Sequence, residues 1–251
     1  MKKKSIGLVC LLCLSLVILA SLGCIQSGEQ PGPMQNESRY VPMGDVKSVN
    51  AKVTMGVGML AVEGGAKDLM DANFIYNMAS WKPEVSYSVS NGVGDLQVRQ
   101  PSGGGVSLKG DVRYDWNLRF NDEVPLNLAA VIGTGDGILR LGGLPLTGLD
   151  VKSGASNLTL DFDGPWKNDL NASIEAGVGE LTIVLPQNTG AIVKVSQGVG
   201  STEVGSGLKT EGNEYTNKSN EYTNDAYGKT NTTLRINIQS GAGNTKLMLA
   251  P

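Results

Sequence analysis

Asp161-Phe162-Asp163-Gly164 places two carboxylates two residues apart, and on an extended strand that spacing sends both to the same side. A pair of this kind could chelate Ca²⁺ at a strand edge or flank a glycosidic bond as acid and base. The same alternation turns Phe162 inward, which is also the ordinary layout of a solvated strand end before the Gly164-Pro165 turn. Asp95, Asp136 and Glu180 recur beside glycines, but one carboxylate per turn falls short of a Ca²⁺-loading repeat. The chain contains no histidine, which removes His-based triads, imidazole metal ligands and imidazole bases together. A hydrolase working through acidic residues on one repeat face is the enzymatic reading left. The expectation is a protein that is not an enzyme and holds no metal or cofactor.

Cys24 carries a different chemistry. Lys2-Lys3-Lys4 and an apolar run from Ile6 to Gly23 form a secretory n-region and h-region, and Ser21-Leu22-Gly23 stands directly before the cysteine. This is close to a lipobox, with Ser21 and Leu22 exchanged relative to the usual order. Residues 1–23 are therefore expected to be a lipoprotein signal peptide, with Cys24 lipidated and membrane lipid as its partner. The alternative is an uncleaved signal anchor, since the run is just long enough to span a bilayer. Either way the chain sits on the outer face of the cytoplasmic membrane or at the cell surface. Cys10 and Cys13 lie within the h-region, so the mature fold holds without disulfides. Residues 24–45, with Gly28, Pro31, Gly32 and Pro33, read as a flexible tether.

The elements that would position any site are short glycine-led strands. With 34 glycines, 10 prolines and 40% hydrophobic residues, the chain is too punctuated for helices yet rich enough for a core, which points to an all-β fold. Seven copies of Gly-x-Gly-x-[Leu/Thr]-x-[Val/Leu/Ile] begin at Gly56, Gly92, Gly135, Gly154, Gly177, Gly198 and Gly241, with Ser156 replacing the second glycine of the fourth copy. From Gly135 on they start 19, 23, 21 and 43 residues apart, a roughly fixed period that marks stacked repeats of a β-solenoid or toast-rack kind. Leu158, Leu160, Leu181 and Ile183 should point into one core. Strands, not helices, follow the glycines, so the tracts are not a dinucleotide fingerprint.

The last interval is long because residues 209–231 interrupt the rungs with polar residues, including Asn-Glu-Tyr-Thr-Asn twice. This segment reads as a surface insertion, presenting Tyr215 and Tyr222 as partner contacts. Trp81, Trp116 and Trp166 could line a carbohydrate groove or plug the core and its ends. Five Asn-x-Ser/Thr sequons, at Asn36, Asn157, Asn171, Asn217 and Asn231, are glycan acceptors only in an organism that uses them. A net charge of −3 gives no footprint for nucleic acid.

Met55-Gly56-Val57-Gly58-Met59-Leu60, Asn73-Phe74-Ile75-Tyr76-Asn77, Pro83-Glu84-Val85-Ser86-Tyr87, Trp116-Asn117-Leu118, Val124-Pro125-Leu126-Asn127-Leu128 and Leu144-Pro145-Leu146 together resemble the toast-rack N-terminal domain of envelope proteins. The match covers 46–149, and 150–251 resembles a LiaF-like, adhesin-like β-repeat region. The resemblance implies a stacked all-β fold, no catalytic residues and, in some members, a role in sensing envelope stress beside a histidine kinase. The chain departs from LiaF-type proteins in having one N-terminal apolar segment in place of several membrane helices. The functional expectation is a tethered, non-enzymatic interaction scaffold or stress-sensing component whose partner is an envelope protein or glycan; the alternative is an adhesin-like protein that binds carbohydrate or another cell-surface protein. Metabolic labelling with a clickable fatty acid should tag the wild type and not Cys24→Ser; equal labelling of both identifies the uncleaved anchor.

Overall fold

The computed structural model describes residues 29–101, 111–211 and 220–251. Its elements are β1 (Gln35–Val41), β2 (Ser48–Glu63), β3 (Met70–Tyr76), a 3-10 turn (Ala79–Trp81), β4 (Glu84–Ser90), β5 (Val93–Arg99), β6 (Tyr114–Phe120), β7 (Leu126–Arg140) and β8 (Leu146–Asp161). Then come β9 (Leu170–Val178), β10 (Leu181–Leu185), β11 (Gly190–Val199), β12 (Thr202–Val204), β13 (Leu208–Glu211), β14 (Asn220–Asn224), β15 (Thr233–Ala242) and β16 (Thr245–Leu249). The fold is all-β and built of stacked rungs.

Each rung is a strand with two arms and a glycine corner between them. The first arms form one sheet, in the order β4-β5-β2-β7-β8-β9-β15-β11-β14-β13, and the second arms another, β1-β3-β6-β2-β7-β8-β10-β16-β12. β2, β7 and β8 run unbroken through both. Along the arms of β7, β8 and β15 buried and exposed residues alternate, as a strand with one core face requires. Leu158, Leu160, Leu181 and Ile183 all lie in the single core between the sheets, as their spacing predicts.

Rungs pack most closely at the corner. A Cβ at Gly241 would stand 2.5 Å from the Gly177 carbonyl oxygen, and one at Gly198 would stand 2.5 Å from that of Gly241. Only a residue without a side chain lets neighbouring backbones meet there. The register also corrects two of the seven sequence copies. Gly135 pairs with Gly58, so the corner of β7 is Gly133-Thr134-Gly135 and the third copy begins two residues earlier than its sequence pattern suggests. Asn91 and Gly92 have positive φ and form the tight turn between β4 and β5, so the second copy opens a hairpin, not a rung corner.

Three boundaries differ from expectation. Within 24–45, residues Gln35–Val41 form β1, paired along its whole length with β3, so the tether is at least partly an edge strand. The 149/150 division falls inside β8, which pairs with β7 on one side and with β9 and β10 on the other, so one sheet system and one core continue across it. The described parts of the polar interval 209–231 are built into the stack: β14 pairs with β11 and β13 with β14. Tyr222 is only 4% exposed and belongs to the core cluster, which corrects its assignment as a surface contact. Thr223 and Asn224 are buried beside it. The Asn224 side-chain amide donates to Pro186 O (2.8 Å) and Thr189 O (2.7 Å), and its oxygen accepts from Ala191 N (3.0 Å). A polar segment is thus ordered by satisfying the backbone of the outermost rung. Tyr215 and Cys24 lie outside the described residues.

The spatial order of rungs is not the chain order. The rung of β15 and β16 lies between that of β9 and β10 and that of β11 and β12. The interval 205–232 carries the chain from the outermost rung back to a slot one position inward, which is why the last spacing doubles.

Replacing Leu181 by Ala should cost about 2–5 kcal/mol of stability in chemical denaturation, while Thr182→Ala should cost less than about 1. Asn224→Ala strands three backbone groups and should cost at least ~2 kcal/mol by the same measurement. A loss near zero would return this segment to a dispensable loop.

Candidate functional site

The N-terminal end of the stack is open. There the outermost strands of the two sheets, β1 and β4, diverge around a cleft of about 870 Å³ lined by Arg39, Val41, Lys82, Val85, Tyr87 and Arg99, with Tyr40, Pro42, Pro83 and Glu84 around them. Arg39 and Val41 oppose the buried Ala72 and Met70, so they face the mouth between the sheets. Val85 and Tyr87 oppose the buried Val98 and Leu96 and line the opposite wall. Tyr40 pairs with Asp71 on the alternate side and stands on the lip, 68% exposed.

An aromatic cluster holds this mouth at a fixed width. Phe74, Trp116, Tyr114 and Trp81 meet edge to face or tilted, each successive pair 5.4 Å apart between ring centres. Such contacts add to the burial of large rings. The Tyr114 hydroxyl donates to Trp81 O at 2.6 Å, pinning the 3-10 turn that leads into Lys82 and Pro83. Burial pushes the Tyr114 phenol far above its ordinary range, so it stays a neutral donor. Burial also raises the Tyr87 phenol. Trp81 and Trp116 therefore plug the core, and Trp166, half-buried on Phe162, donates to Phe162 O at 2.8 Å.

The charges of the cleft are paired. Glu37 is shared by Arg39 and Lys82, the latter at 3.7 Å, and it also accepts from the Tyr76 hydroxyl at 3.1 Å. Arg99 pairs with Glu84. Arg39, Lys82 and Arg99 line the cleft with one carboxylate, Glu84, while Glu37 and Glu29, which accepts the Ser80 backbone N–H at 3.2 Å, stand at its margin. Elsewhere Lys152 pairs with Glu175 at 2.9 Å and Arg235 with Asp169 at 2.8 Å, and Glu63 is shared by Arg119 and Arg140 at 3.7 and 3.6 Å. The Asp169 carboxyl is held below its usual range by the Arg235 guanidinium and the Thr233 amide.

Other sequence candidates have structural roles. Asp161 accepts the Asp163 backbone N–H at 2.9 Å, closing the turn that follows β8. Among the described residues no group of three His, Cys, Asp or Glu side chains converges to hold a metal ion. Asn36, Asn157, Asn171 and Asn231 are exposed, whereas Asn217 lies outside the described residues. Sequence reasoning missed the cleft because its walls come from residues 39–42, 80–87 and 99–101, and no local pattern links them. The one signal was the Pro83-Glu84-Val85-Ser86-Tyr87 strand.

The model for the N-terminal domain of toast_rack, a domain also designated DUF2154, matches residues 30–184. The chain belongs to the toast-rack family. Its match continues beyond the expected 149/150 division, in keeping with the unbroken sheet. Among solved structures, this toast-rack protein is similar to a "putative cell adhesion protein" from Clostridium sporogenes, at 32% identity over 87% of this chain and 100% of the other, with a TM-score of 0.80. A "putative adhesin" from Bacteroides fragilis aligns at 14% identity over 88% of this chain and all of the other, with a TM-score of 0.36. No curated protein matches.

Tyr114→Phe removes the clamp on the Trp81 carbonyl and should cost about 1–2 kcal/mol in thermal or urea unfolding. Trp81 fluorescence should also become more sensitive to quencher, provided Trp116 and Trp166 are replaced by Phe in the parent.

Proposed function

We propose that this toast-rack protein is a membrane-tethered, extracytoplasmic interaction scaffold of the cell envelope, not an enzyme, and that the cleft at its N-terminal end is its contact surface. The observation that carries this reading is the meeting of Arg39, Lys82 and a tyrosine wall at a preformed opening between the two outermost strands, with Arg99 at its outer edge. Sites of this kind, concave and few per protein, are where ligands bind. On the strand faces, ion pairs such as Lys152–Glu175 and Lys194–Glu221 join neighbouring strands, a layout that stabilises a sheet.

The tether reading rests on Cys24 and the apolar segment before it. β1 is close to that segment in sequence, so the mouth would face the membrane side of the protein and stress-dependent crowding there would be felt first at the cleft. The name of the Clostridium sporogenes relative supports the second reading, an adhesin-like surface protein that engages carbohydrate or another cell-surface protein. Both readings place function in binding.

Cross-linking in native membranes followed by purification through a C-terminal tag separates them. The scaffold reading expects the same envelope component to be captured by the wild type and lost with the charge reversal Arg39→Glu, while Lys229→Glu at the far end retains it. Capture unaffected by Arg39→Glu removes the cleft from the reading. Binding to whole foreign cells in place of an envelope component of the same cell favours the adhesin.

A further inference from the structure

We propose that the cleft binds an anionic sugar chain, one carrying regularly spaced carboxylates or phosphates. This inference deepens the binding role proposed for the cleft and rests on it.

The side chains argue for an anion. Arg39 and Lys82 share one carboxylate, Glu37, and the second cation stands 3.7 Å from it, beyond hydrogen-bond reach. Lys82 therefore retains donors for an incoming oxygen. All three cations are about half exposed, and ion pairs of that exposure contribute about 0–1 kcal/mol. Exchanging Glu37 or Glu84 for a ligand oxygen costs correspondingly little. Two cations, Arg39 and Lys82, thus stand on one carboxylate at the mouth of a protein with a formal net charge of −3.

The walls argue for a sugar chain. Tyr87 forms an aromatic surface opposite Arg39 across the mouth, with Val41 and Val85 as apolar flanks. An aromatic face packs against the C–H face of a sugar ring while charged donors reach its acidic substituent, which is the mixture a charged saccharide presents. The opening of about 870 Å³ lies within the roughly 300–1,000 Å³ range of ligand-binding clefts.

The backbone argues against the other occupant, an extended peptide added as a strand. Pro42 follows β1 directly and Pro83 precedes β4 directly. Proline offers no N–H to a new ladder, and charged residues on both strands, Glu37, Arg39 and Glu84, guard the edges further. Recognition at this mouth is left to side chains.

The test uses the full-length protein in detergent and four probes in isothermal titration: oligogalacturonate for carboxylates on sugar, poly(glycerol phosphate) for phosphates, maltoheptaose as neutral sugar, and an oligoglutamate peptide. Binding of one or both of the first two is expected, with affinity falling as salt rises. Arg39→Glu with Lys82→Glu should weaken that binding roughly tenfold or more, as loss of charge-assisted bonds does, while Lys229→Glu leaves it unchanged. Arg39→Gln, which disturbs the edge less, should show a smaller loss in the same direction, and circular dichroism confirms that each variant is folded. Equal binding of maltoheptaose, tighter binding of oligoglutamate, or binding indifferent to the charge reversals overturns the proposal. If no probe binds but Arg39→Glu still abolishes membrane cross-linking, the scaffold reading stands and this inference falls.

Discussion

Everything in this molecule depends on backbones touching at the corner. Where each rung bends, its peptide lies against the carbonyl of the rung beside it, as Gly241 does on Gly177 and Gly198 on Gly241. That approach leaves no room for a side chain, and it fixes the register of both arms at once. With the corner set, alternation decides which residues enter the core, and the two sheets close over one apolar layer. Ion pairs between neighbouring strands and side-chain amides at the ends then add smaller increments to a geometry already determined.

The stack has two ends and treats them differently. At one end β13 and β14 fold back antiparallel and seal the first sheet with Tyr222 and Asn224. At the other, β1 and β4 diverge, and aromatic rings fill the gap only partway. A repeat architecture must stop somewhere, and a stop is the one place where the regular surface gives way to an individual shape. The cleft is individual in this sense: its residues belong to no repeat. That asymmetry, and not any feature of the rungs, gives the protein a place where its surface chemistry departs from the repeat.

Much of this was legible in the sequence, for local reasons. Leu-x-Leu and Leu-x-Ile alternation after a glycine marks an inward face regardless of partners, so Leu158, Leu160, Leu181 and Ile183 could be placed in the core from spacing alone. Glycine frames are less certain, because Gly133, Gly135 and Gly137 stand at equal intervals and only pairing with β2 shows which two form the corner. Burial of Tyr222 and Asn224 was illegible for a related reason. Their neighbours Glu221 and Asn220 are polar, and what draws the segment inward is a set of unsatisfied backbone groups at residues 186–191, some thirty-five residues earlier in the chain. Polarity predicts solvent when no partner is known; a distant backbone can supply one. The cleft shares this property, since three separated stretches make it.

The interleaved order of the last rungs has a consequence for how the fold is reached. Strands β11 and β12 are synthesised before β15 and β16, yet their long parallel partners in the finished stack are those later strands. Until residues 233–249 are available, the 190–204 segment has only the β14 hairpin to pair with, and the rung of β9 and β10 keeps one edge uncovered. Assembly therefore cannot proceed as simple zippering from one end to the other. The final rung is a wedge whose arrival completes two interfaces in one step, so the half of the molecule beyond β8 is a single cooperative unit, in which partial structures carry open strand edges and full order is gained all together.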